Sequence, residues 1–141
     1  MDIKQFFQDF VNLDFDELVD QCRPFAATAY KVCLRQEGNE SDAIAKLIVI
    51  ISSVVCVDGV VNRKEHEFFN ALFYQDISYD RFDELFKDKN SENLREGTII
   101  LLNKLSYEEK KAFALLLTGF AACNETISFE EQKYLTKLIL G

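Results

Sequence analysis

Four carboxylates are the residues best suited to chemistry in this chain: Asp58, Glu65, Glu125 and Glu131. Asp58 and Glu65 belong to the stretch Val57-Asp58-Gly59-Val60-Val61-Asn62-Arg63-Lys64-Glu65. Glu125 and Glu131 belong to a later stretch that opens Asn124-Glu125-Thr126-Ile127-Ser128. Carboxylate oxygens are what hard divalent cations take as ligands. The first stretch imitates the latter half of a calcium loop, with Asp58, Gly59, Val61 and Glu65 at the fifth, sixth, eighth and twelfth positions of the EF-hand pattern. The first and third positions are Val54 and Cys56, and in the second stretch Phe120 and Ala122, none of which offers a hard oxygen. Neither turn is therefore expected to bind calcium alone. A divalent cation held jointly by Asp58, Glu65, Glu125 and Glu131 requires that the two turns meet.

The same residues have a plainer use. Glu65 follows Asn62 by three positions and Glu131 follows Ser128 by three, the spacing of a capping box. Such a cap is worth about 0.5–2 kcal/mol and needs no metal. Asp58 can likewise accept hydrogen bonds from the backbone of its own turn. His66, the sole imidazole, follows Glu65, but adjacent helix positions point about 100° apart, so it reads as a surface or boundary residue. Cys22, Cys33, Cys56 and Cys123 form no C-x-x-C pair and read as buried free thiols. Glycine-rich phosphate loops, H-E-x-x-H, G-x-S-x-G and a nucleophile–base pairing are all missing, and the chain is expected not to be an enzyme.

The elements that must position these residues are helices. Ile3, Phe6, Phe7, Phe10 and Val11 share one helical face. Asp14 with Glu17 opens a second helix that runs to about Gln36, with Pro24 as a kink or break and Gly38 as its stop. Ser41 or Asp42 caps a third through Val57, ended by Gly59. Asn62 opens a fourth bearing Phe68, Phe69, Leu72 and Phe73, and Ser78 a fifth bearing Phe82, Leu85 and Phe86. After a polar stretch from Lys87 to Asn93, a sixth passes through Ile99, Leu102 and Leu105. Ser106 with Glu109 opens a seventh to about Cys123, and Ser128 with Glu131 the last. The expectation is an all-α bundle of about eight helices with no strand. The phenylalanines fall on its apolar faces and read as core.

With no proline- or glycine-rich linker in its 141 residues, the chain reads as one domain, 1–141. The net charge of −8 and scattered lysines and arginines, Lys110-Lys111 and Arg63-Lys64 being the densest pairs, argue against nucleic acid as a ligand. The N-terminus lacks a secretory pattern. No uncharged run reaches the ~20 residues that span a bilayer, and Leu47 to Val57 is about half that length. A cytoplasmic protein without a transmembrane segment is expected.

The chain also aligns on itself. Ile50 to Phe73 matches Leu116 to Ile139 without gaps, at a constant offset of 66 positions, through the pairs Asp58/Asn124, Val61/Ile127, Asn62/Ser128, Glu65/Glu131 and Leu72/Leu138. Two units of helix, tight turn and capped helix are implied, about 41–75 and 106–140. The turn from Val57 to Glu65 resembles the D-G-x-[hydrophobic]-x-x-x-E turn of the tellurite-resistance TerB-like family, all-helical domains with two such units. The second turn, Asn124-Glu125, departs from the Asp-Gly of that pattern. The resemblance implies a role in tellurite or stress resistance and a metal ion at the acidic turns. By way of a related co-chaperone domain it also implies a protein partner, and through that partner peripheral association with a membrane. Two other readings stand beside it. One is a pure protein–protein interaction module whose turn acids are only caps. The other is a degenerate metallo-hydrolase, which would need a histidine-rich or multi-aspartate pocket.

Overall fold

Seven of the eight described helices begin where a short polar side chain takes up amide hydrogens that the first turn leaves without partners. The computed structural model describes residues 2–55, 61–86 and 91–140, and of Ser91 and Glu92 the backbone only; eight helices and no strand lie among the described residues. Asp2 accepts from the amides of Lys4 and Gln5 and opens α1 (Ile3–Val11). Reciprocal capping boxes open α2 (Phe15–Glu37) at Asp14/Glu17, α4 (Arg63–Phe73) at Asn62/Glu65 and α7 (Tyr107–Ala122) at Ser106/Glu109. Ser128 and Glu131 exchange the same two bonds at the start of α8 (Phe129–Leu140). The Ser78 hydroxyl accepts from the Arg81 amide at the start of α5 (Tyr79–Phe86).

Three expectations about boundaries are corrected. The third helix, α3 (Glu40–Val55), is capped by Asn39, whose carbonyl oxygen accepts from the Asp42 amide at 2.9 Å. Asn39 lies close enough behind the Gly38 turn to serve, so Ser41 and Asp42 fall inside the helix. Its expected end, Val57 and Gly59, lies outside the described residues. Pro24 does not break α2, because the residue that loses its i+4 donor, Asp20, is exposed. The sixth helix, α6 (Ser91–Leu102), starts inside the polar stretch and stops before Leu105. Its first turns carry one apolar residue, Leu94, among polar ones, so apolar periodicity gives no signal there.

Helix α2 runs through the middle, packed against α7, α3 and α4; α5 and α6 cover α3, while α1 and α8 lie on α7. One continuous core joins all of them except the solvated parts of α6. Phe68 meets Phe120 edge-on at 4.9 Å, and Phe69, Phe82 and Phe86 stack into a second aromatic group, so these phenylalanines are core. Phe129 is the exception, 72% exposed beneath Lys133. Buried hydroxyls are matched locally: Ser52 and Ser53 donate to the Ile48 and Ile50 carbonyls, and the Tyr134 hydroxyl donates to Ser53 Oγ at 2.7 Å, tying α8 to α3. Burial pushes the Tyr134 hydroxyl above its usual pKa. Among the described residues, no helix is long and apolar enough to cross a membrane.

Candidate functional site

The two turns meet. Asn62, the cap of α4, donates from Nδ2 to the Oδ1 of Asn124 at 2.7 Å, across 62 positions of chain. Asn62 thus serves two purposes, since its own Oδ1 accepts from the Glu65 amide at 2.9 Å. Beside this bond, Lys64 Nζ lies 3.7 Å from Glu125 Oε1, an exposed ion pair that also crosses the junction.

The four expected site residues are placed as follows. Glu65 is buried at 3% exposure, with Oε1 accepting from the Asn62 amide at 3.0 Å. Glu131 is half-buried, and its Oε1 accepts from the Ser128 amide at 2.9 Å. Both carboxylates lie near Cys123, whose thiol is pushed well above its usual pKa first by burial and then by their negative charge. Glu125 is exposed and turned to Lys64. Asp58 lies outside the described residues. Glu65 and Glu131 both carry capping bonds. Among the described residues, no group of three or more His, Cys, Asp or Glu is arranged to hold a metal ion. Glu125 stands at the departure from Asp-Gly. It has φ +70°, a left-handed conformation, at the position aligned with Gly59.

The other candidates have structural surroundings. His66 lies at 2.6 Å from the Ile77 carbonyl through Nε2 and packs edge-on against Tyr79, as a boundary residue that ties α4 to the start of α5. Cys22, Cys33 and Cys123 are buried and free, and burial raises the first two thiols to about 12 and about 11. Such thiols are poor nucleophiles. Cys56 lies outside the described residues.

Sequence reasoning missed a cleft of about 740 Å³ bounded by α2, α3, α4 and the segment leading into α5. Its floor is apolar, with Ala26, Leu47, Ile48, Phe69 and Leu72 all buried in the core beneath it. Two large apolar side chains stand out at its lip, Tyr74 at 77% and Ile44 at 44% exposure. Tyr74 is held there by its backbone: it caps α4 in the left-handed region, φ +54°, with its amide bonded to the Asn70 carbonyl. Arg23 spans the lip, with its guanidinium 4.9 Å from the Tyr74 ring centre, one nitrogen donating to the Ala71 carbonyl at 3.3 Å and another 3.5 Å from Asp20. A signal for the cleft was present in α3. Ile44, Leu47, Ile48, Val49, Ile50 and Ile51 are apolar on every side of that helix, more than one packing face can use.

A cleft of this volume with an apolar floor and few polar groups is of the kind that takes up ligands or side chains of a partner. The junction of the turns, by contrast, offers the buried Glu65 and the half-buried Glu131, each bonded to the amide of its cap residue. No family model, no curated protein and no solved structure matches this chain, so the TerB-like resemblance rests on the residues of its first turn and the internal alignment.

Proposed function

We propose that this chain is a non-enzymatic binding module that takes an apolar segment of another protein into the cleft between α2, α3 and α4, the turn acids serving as helix caps. The observation that carries this reading is the apolar cleft of about 740 Å³ with Tyr74 and Ile44 exposed at its lip. Large side chains left in water beside a concave apolar floor lose that cost when a partner covers them. Glu65 and Glu131 support the same reading, because each already bonds the amide of its own cap residue. The reading is tested by fluorescence anisotropy with labelled amphipathic helical peptides that share a leucine face and differ in the charge of the other face. Binding by any member that Ile44→Gln or Ala27→Gln abolishes supports the module. A set in which no member distinguishes wild type from both variants refutes it.

A second reading, a TerB-like stress-resistance domain holding a divalent cation through Asp58, Glu65, Glu125 and Glu131, draws its support from the hydrogen bond by which Asn62 and Asn124 join the two turns. Thermal unfolding of chelator-stripped protein decides it. A selective rise in Tm with calcium, magnesium, zinc or manganese that Asp58→Ala removes supports the cation. Equal melting with and without every ion removes it.

A further inference from the structure

The shape and charge of the cleft specify its occupant further, on the premise that the cleft is the binding site. Along α2 it extends from Asp20 to Tyr30, and ten residues at about 1.5 Å rise make a wall of about 15 Å, close to three turns of an apposed helix. Asp20 stands at one end of that wall. Glu40 stands at the other, because α3 folds back on α2 just after Gly38, a hairpin that the Lys46–Glu37 pair at 3.5 Å also fixes. Both acids are exposed, and so is Asp76, between the lining residues Gln75 and Ile77.

Among the described residues, the single cation of the lining, Arg23, is engaged by the Ala71 carbonyl, Asp20 and the Tyr74 ring. A fatty carboxylate or other anionic amphiphile would bring its charge to a rim of carboxylates on a chain of net charge −8. A segment with an apolar stripe and basic flanks meets the opposite condition at both ends of the wall. We infer that the cleft binds an amphipathic helix of a partner protein, about three turns long, whose apolar stripe fills the groove and whose lysines or arginines face Asp20 and Glu40. Helices docked in grooves through anchors at i, i+3 or i+4 and i+7 are a recurrent mode of recognition, and three turns of wall accommodate such a set.

The experiment uses the full chain and three labelled peptides of about five helical turns, each with the same leucine stripe and with lysine, glutamine or glutamate elsewhere. The lysine peptide should bind at least about tenfold more tightly than the glutamate peptide at low salt, and the difference should shrink as salt is raised. Asp20→Lys with Glu40→Lys should weaken the lysine peptide by about tenfold, whereas Glu67→Lys with Glu96→Lys, the same charge change at exposed helix positions away from the cleft, should change it by less than about twofold. Circular dichroism checks that both double variants keep wild-type helicity. If the glutamine or glutamate peptide binds as well as the lysine one and still depends on Ile44, the basic occupant is wrong and the module stands. The basic occupant is equally wrong if the distant charge changes weaken binding as much as those at the cleft. A stable dimer in sedimentation that Ile44→Gln dissociates would replace the basic helix with a second copy of the chain. If no peptide distinguishes wild type from Ile44→Gln and Ala27→Gln, the module reading fails and this inference fails with it.

Discussion

Replacing Gly119 by alanine tests the closest packing in the core. Gly119 lies inside α7 where that helix passes α2 and α4, and a Cβ built on it stands 2.5 Å from Cys22 Sγ and 3.3 Å from Phe68 Cζ. Neither neighbour has room to yield, since Cys22 and Phe68 are both fully buried. Overpacking of this kind costs about 1–3 kcal/mol, and a contact this short belongs at the upper end. Alanine at a helix interior returns about 1 kcal/mol of propensity. The net expectation is a loss of about 2 kcal/mol, a fall in Tm of roughly 5–8 °C for a domain of this size. Thermal and urea unfolding of wild type, Gly119→Ala, Cys22→Ala and the double variant complete a cycle. Removing the sulfur opens the space that the new methyl needs, so the double variant should be more stable than Gly119→Ala alone, with a favourable coupling of about 2 kcal/mol. A Gly119→Ala protein as stable as wild type, or costs that simply add, would refute the close approach of α7 to α2.

Three further outcomes follow from the turns and helix ends. Asn62→Ala should cost about 2–3 kcal/mol by urea unfolding, the loss of a cap and of the bond to Asn124 together, while Asn124→Ala should cost about 1 kcal/mol; equal costs would mean that the cap of α4 contributes nothing. Glu125→Gly should raise stability by up to about 1 kcal/mol, because glycine adopts φ +70° without the Cβ clash and the ion pair lost with Lys64 is exposed; a lower Tm would contradict the left-handed assignment. The Arg35 guanidinium, 2.6 Å from Glu109, holds that carboxyl below its usual range, with the Ser106 cap adding to the effect. A depressed folded-state pKa contributes stability that is present above the unfolded carboxylate value near about 4.3 and is lost as pH falls through the folded one. The Tm difference between wild type and Arg35→Gln should therefore be present at neutral pH and vanish in strong acid, and a difference undiminished there would rule out the pair as its source.

What the sequence determined by itself was local. Capping boxes join residues three apart, so Asp14/Glu17, Asn62/Glu65, Ser106/Glu109 and Ser128/Glu131 could be read directly and are all formed. Apolar spacing identified the faces of α1, α4 and α5, and Cys22, Cys33 and Cys123, which form no C-x-x-C pair, are buried and free as expected. At α3 the sequence pointed to Ser41 or Asp42 as the cap, whereas Asn39, just behind the Gly38 turn, takes that place. Only the tertiary structure decided that Asn62 reaches Asn124, that Glu65 is buried while Glu131 is half-exposed, and that Tyr74 and Ile44 remain in water above an apolar floor. Periodicity says which face of a helix leaves solvent; it does not say which helix covers that face or how completely. A cleft is the space left where three helices diverge, and its existence depends on their relative placement, to which residues far apart in the chain contribute together.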